Sequence, residues 1–111
     1  MEERKLDKLN ELLRRFVGEY LRKEMDFEDA LVTVSSVVTT SNRQESTVGV
    51  TVFPFEKSAR VLEILNKNIY ETQKAVNRGL SIRPVPKIIF KIDESEEKGD
   101  RILRTLKNIE E

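Results

Sequence analysis

Between Arg4 and Lys23 the apolar positions Leu6, Leu9, Leu12, Leu13, Phe16, Val17, Tyr20 and Leu21 recur at helical spacing and form one stripe, which predicts an amphipathic helix. Gly18 lies inside it and weakens it only slightly. The acid-rich stretch Glu24 to Asp29 breaks the pattern, and Leu31 to Thr40 follows as a run of Val, Thr and Ser, rich in the β-branched residues that favour a strand. From Thr47 to Phe53 the chain alternates Val48, Val50 and Val52 with Thr47, Gly49 and Thr51, a strand with one buried face. Ser41-Asn42-Arg43-Gln44 supplies polar turn residues between the two runs, so they pair as an antiparallel hairpin, and Pro54 ends the second strand.

Helical spacing returns from Glu56 to about Asn77, where Val61, Leu62, Leu65, Ile69, Thr72 and Val76 share one face. Asn77-Arg78-Gly79 reads as its stop, with Gly79 available for a left-handed cap. Pro84 and Pro86 keep Ser81 to Lys87 extended, and Ile88 to Ile92 is a third strand. A last helix begins in Asp93-Glu94-Ser95-Glu96, with Asp93 or Ser95 as N-cap and Ile102, Leu103, Leu106 and Ile109 as its apolar face. The order α-β-β-α-β-α predicts an α+β fold, a three-stranded sheet with helices packed on one face, and 111 residues suit a single domain over 1–111.

Composition narrows the chemistry. The chain has no cysteine and no histidine, which removes disulfides, thiolate nucleophiles, Zn–S sites and the commonest general base. The acids Asp93, Glu94, Glu96 and Glu97 crowd one helix start, where carboxylates serve as caps and dipole partners rather than as a catalytic pair. Glu24, Asp26, Glu28 and Asp29 offer oxygen ligands of the kind Mg²⁺ takes, without the spacing of a calcium-binding loop. No metal, cofactor or catalytic residue is assigned. The longest uncharged run, Ala30 to Asn42, is too short and polar for a membrane span, and Glu2 to Lys8 mixes acids and bases instead of forming a secretory core. The expectation is a cytoplasmic protein that is not an enzyme.

Twenty basic residues balance twenty acidic ones overall, yet they are not spread evenly. From Lys57 to Ile92 eight basic side chains (Lys57, Arg60, Lys67, Lys74, Arg78, Arg83, Lys87, Lys91) face only Glu63 and Glu71, and affinity for polyanions depends on such local excess. On a helical wheel Arg60, Lys67, Lys74 and Arg78 fall within about 40° of one another, roughly 150° from the apolar stripe. Arg60 can equally pair with Glu56 or Glu63 on the surface. Arg83, beside two prolines, can pair with a carboxylate such as Asp93 or reach RNA, and Arg43 at the hairpin tip can touch a phosphate. Tyr70 falls off the apolar stripe and can stack on a base, whereas Phe90, central in the third strand, reads as core. The RNA-binding candidates are therefore Lys67, Lys74, Arg78, Arg83, Arg43 and Tyr70.

The run Arg83-Pro84-Val85-Pro86-Lys87-Ile88-Ile89-Phe90-Lys91-Ile92-Asp93-Glu94-Ser95, followed by Gly99 and Ile102, resembles the C-terminal signature of the ribosome-binding factor A family. That signature is Arg-x-Val-Pro-x-Leu-x-Phe-x-x-Asp-x-Ser, with Ile88 in place of its Leu. Thr33 to Val37 and Val48 to Val52 also look like the family's first hairpin, so the resemblance covers roughly residues 12 to 106. It implies a type II KH-like fold, binding to the small ribosomal subunit and its ribosomal RNA, a role in late subunit maturation, no enzymatic activity and a monomer when free. The chain departs from the family at Asn68-Ile69-Tyr70, where an Ala-x-Gly kink is usual, at Gln73, where an Arg is usual, and at Asp26-Phe27-Glu28, in place of Asp-Pro-Arg. Without the glycine, the second long helix is expected to run straighter or to kink for another reason.

The reading that gathers these features is a ribosome assembly factor holding immature small-subunit RNA through phosphates and shape. The alternative is a protein-interaction module on the same scaffold, with the basic face merely solvated.

Overall fold

In the computed structural model the described residues are 2–94; the predicted last helix and its capping residues from Ser95 onward lie outside them. The elements are α1 (Glu2–Glu24), β1 (Leu31–Thr39), β2 (Glu45–Phe53), a 3₁₀ turn (Phe55–Lys57), α2 (Ser58–Lys67), α3 (Ile69–Gly79) and β3 (Lys87–Ile92). The strands form one mixed sheet in the order β1-β2-β3, with β1–β2 antiparallel and β2–β3 parallel. Among the described residues no helix is long and apolar enough to cross a membrane.

The stripe on α1 buries Leu9, Leu13, Val17 and Leu21, one turn apart, while its outer face carries the ion pairs Glu11–Arg14 (2.6 Å), Glu11–Arg15 (3.0 Å) and Glu19–Lys23 (2.8 Å). Hydrogen bonds from Arg14 and Arg15 hold the Glu11 carboxyl down at about 2. The helix gives way to a turn in which Asp26 Oδ1 accepts from the Glu28 N–H (2.9 Å), and Glu28 and Asp29 take left-handed φ values of 53° and 73°.

Strand alternation puts Val48, Val50 and Val52 of β2 and Ile88 and Phe90 of β3 against the helices. In β1 a bulge between Val34 and Ser36 resets the alternation, so that Val34 and Val37, three residues apart, both point into the core. Where the hairpin end of the sheet meets α1, buried Thr39 shares its hydroxyl with Ser46 (2.7 Å) and with the Asn10 side chain, satisfying polar atoms that water cannot reach. The other face of the sheet leaves Leu31, Val38 and Phe53 exposed.

Of the two outcomes expected for the second long helix the break is the one found, and the expected role of Gly79 needs correction. The segment from Glu56 to Asn77 is not one helix: it opens with the 3₁₀ turn and breaks at Asn68, whose φ and ψ are −102° and 13°. The cause is local, since the Asn68 side-chain amide donates to the Ile64 carbonyl (2.8 Å) alongside its own backbone N–H (3.2 Å), and short polar side chains compete with the helix in this way. Gly79 is not a left-handed cap, because no glycine among the described residues has positive φ. It is the last residue of α3, and its missing side chain makes room for the Phe16 ring, which a Cβ would overlap.

Candidate nucleic-acid interface

The break at Asn68 divides the basic stripe between two helices. Lys67 ends α2, and Lys74 and Arg78 lie on α3; all three are exposed, and among the described residues neither Lys67 nor Arg78 has an ion-pair or hydrogen-bond partner. Lys67 and Arg78 each occupy the last turn of their helix, where the dipole favours a cation. Tyr70, in the first turn of α3, is 72% exposed, and the Lys74 ammonium lies over its ring at 5.9 Å from the centroid.

Arg60 leaves this group. Its guanidinium grips both carboxylate oxygens of Glu28 (2.6 and 3.1 Å) and also bonds Glu63 (2.6 Å), so the partner is the α1–β1 turn and not Glu56. The pairing lowers the Glu28 carboxyl below its usual range and raises Arg60. Glu28, offered by the sequence as one oxygen of a Mg²⁺ site, is thus an anchor for α2.

Arg83 is drawn back onto its own chain. Its guanidinium donates to the carbonyls of Leu80 (2.8 Å), Ile82 (2.9 Å) and Asn77 (3.2 Å), closing the C-terminal end of α3 beside Arg78. Asp93, which the sequence offered as one possible partner of Arg83, accepts from the Ser35 hydroxyl of β1 (2.8 Å). Arg43 takes a left-handed φ of 60° at the hairpin tip, its N–H bonded to the Thr40 carbonyl (2.8 Å). Phe90 is core, as its strand position requires.

Gln73 is the residue that sequence reasoning undervalued. Its side chain receives the Ile88 N–H (2.8 Å) and donates to the Pro86 carbonyl (3.0 Å), clamping α3 to the start of β3. There the Lys87 N–H bonds the Gln44 carbonyl (2.9 Å), next to Arg43. A short hydrogen-bonded path therefore joins the hairpin tip, the start of β3 and the face of α3. The available signal was a glutamine on the buried flank of a helix, four residues after Ile69, with an amide able to both donate and accept. Among the described residues there is no cluster of three His, Cys, Asp or Glu side chains able to hold a metal ion.

An α-β-β-α-α-β order, a mixed sheet covered by helices on one face and a broken helix pair ahead of the parallel strand define a small α+β protein of the KH-like type II class. The sequence profile of ribosome-binding factor A matches residues 5–106, and the chain belongs to that family. The ribosome-binding factor A of Akkermansia muciniphila is 35% identical over 107 residues, covering 96% of this chain and 86% of the relative. That of Geobacter metallireducens is 32% identical over 105 residues, covering 93% and 89%. The crystal structure of ribosome-binding factor A from Thermus thermophilus superposes with a TM-score of 0.67 at 23% identity, covering 78% of this chain and 94% of that one. Thermus thermophilus coordinates fitted into the cryo-EM map of a complex with 30S give a TM-score of 0.66 at 24% identity, covering 78% and 93%.

Proposed function

We propose that this protein binds the small ribosomal subunit through its ribosomal RNA and assists late maturation, as a single-domain, cytoplasmic, monomeric factor that catalyses no reaction. The observation that carries this reading is the family match over residues 5–106, on a chain whose Lys67, Lys74 and Arg78 stay exposed on the broken helix pair. The relative fitted into a complex with 30S supports the choice of partner. The mechanism is occupancy: the basic face holds an RNA conformation present before maturation and loses its site when the mature form takes over. Arg43 and Arg83 contribute at the edges, with Arg83 also ordering the end of α3.

Sedimentation of the tagged protein in a lysate of its own cells, at low and raised salt, tests the reading. Travel with the small subunit or its precursors and release by salt are expected, because each neutralised phosphate frees counterions. Migration as a free small protein would overturn it.

One observation favours a second reading, a protein-docking module without direct RNA contact: Leu31, Val38 and Phe53 are exposed on the helix-free face of the sheet. Under that reading, association resists salt and survives charge reversal at Lys74 and Arg78.

A further inference from the structure

The exposed aromatic at the helix break is the feature that neither the core nor the fold explains. Tyr70 belongs neither to the buried core nor to the partly buried side chains packed on it, and it is 72% exposed. Phe16, Tyr20 and Phe27 are packed against the core and Phe90 lies within it, so these four rings are buried in whole or in part. Phe53 is also exposed but lies at the end of β2 on the opposite side of the sheet from the helices. Tyr70 differs in its neighbours. Lys67 ends α2 three residues before it, and Lys74 lies over its ring at 5.9 Å, the one cation–ring contact among the described residues. The Asn68 break, held by the side-chain bond to Ile64, turns the chain between Lys67 and Tyr70, and the ring emerges in the first turn of a new helix.

We infer that Tyr70 is a stacking platform for one unpaired nucleotide of RNA, with Lys67 and Lys74 neutralising the phosphates on either side of that base. This rests on the RNA-binding reading above and narrows it to a class of RNA. The physical reason is access. In a paired helix each base face is already covered by its neighbours, so a ring on the convex surface of a protein helix finds only backbone and groove. A base in a loop, bulge or free end offers an open face, and stacking on an aromatic side chain tolerates any base because all have π faces. The Lys74 ammonium lies over one side of the ring, 5.9 Å from its centroid, which places a phosphate-binding charge next to a base-binding surface. An exposed Tyr without a packing role adds little to stability, so its replacement leaves the fold intact and the test is clean.

The experiment measures binding of the full chain, at fixed salt, to two RNA probes of equal length: a blunt-ended, fully paired duplex and a duplex interrupted by an unpaired internal loop. Tyr70→Ala is expected to weaken binding to the internal-loop probe about tenfold and to leave the paired probe unchanged. Tyr70→Phe, which keeps the ring, is expected to bind both as the parent does. In a Tyr20→Phe background Tyr70 is the only tyrosine and the chain has no tryptophan, so its fluorescence should be quenched by the internal-loop probe alone. Equal effects of Tyr70→Ala on both probes, or none on either, would overturn the platform while leaving RNA binding in place. Binding of neither probe by the parent protein would overturn both readings together. Unchanged RNA binding with loss of a salt-resistant contact to a subunit protein would assign the ring to a protein partner instead.

Discussion

The side-chain amide of Asn68 donates to the backbone carbonyl of Ile64 at 2.8 Å, one turn back along the chain. That carbonyl also receives the Asn68 N–H at 3.2 Å, and the Asn68 carbonyl in turn accepts from both the N–H and the hydroxyl of Thr72, each at 3.0 Å. The break between α2 and α3 is therefore hydrogen-bonded on both sides by side chains, and it separates Lys67 from Tyr70 and Lys74. A family that usually breaks this helix with glycine breaks it here with asparagine.

Replacing Asn68 by Ala removes the competing amide and offers a better helix former, so α2 and α3 should tend to merge. The lost bond, worth about 1 kcal/mol, and the gained propensity nearly offset, leaving a net stability change below about 1 kcal/mol. Far-ultraviolet circular dichroism should show added helix, and co-sedimentation should show subunit association weakened several-fold as Lys67 and Lys74 lose their relative placement. Unaltered helicity would mean that tertiary packing, and not the side chain, sets the break.

Gln73 clamps α3 to β3 through the Ile88 N–H and the Pro86 carbonyl. Truncation to Ala leaves a partly buried donor and acceptor without partners and should cost about 1–3 kcal/mol in urea unfolding. Gln73→Glu keeps the acceptor for Ile88 but cannot donate to Pro86, so its cost should fall between those of the parent and the Ala variant.

The Glu28–Arg60 pair carries a defined pH dependence. Because the hydrogen bond from Arg60, and then the nearby charges of Arg60 and Lys57, lower the Glu28 carboxyl from its ordinary 4.5, the folded state binds a proton there less readily than the unfolded chain. The pair's contribution is therefore present above the ordinary carboxylate range and is lost as pH falls through the lowered folded value. Glu28→Gln should melt slightly below the parent at neutral pH, and the two melting temperatures should converge in acid. The effect is small, since both side chains are about half exposed.

Charge reversal of Lys67 and Lys74 together should abolish salt-sensitive association with the small subunit. Single neutralisations should each reduce the slope of log affinity against log salt by about one, if each side chain holds one phosphate. Arg60→Ala should leave that slope unchanged, because Arg60 is already spent on Glu28 and Glu63.

Much of this architecture was legible in the residue pattern. The stripe of α1, the Val-rich alternation of β2 and the Ile88–Ile92 strand mark their elements because burial on one face imposes period 3.6 or period 2 on the chain. Gly79 misled, since a glycine at a helix end suits a left-handed cap equally well as a close approach, and only the position of Phe16 decides between them. Arg60 and Arg83 were legible as cations, and of their partners only Glu63, one turn along the helix from Arg60, could be read from the sequence. Glu28 lies 32 residues from Arg60 in sequence, and the carbonyls that hold Arg83 become available only where α3 happens to end.

Local pattern, then, determined what this protein is made of: an amphipathic helix, a hairpin, a further helical segment, a strand, a basic middle third and a chemistry without histidine or cysteine. It also carried the family resemblance, because that lies in consecutive residues. The tertiary structure decided which cations remain free, which are taken by carboxylates and carbonyls, and how Gln73 ties α3 to the start of β3, where the Lys87 N–H meets the hairpin tip. The reason is physical. Periodicity records which side of each element meets the core, whereas an ion pair or an exposed ring depends on which distant atoms arrive beside it when the elements pack.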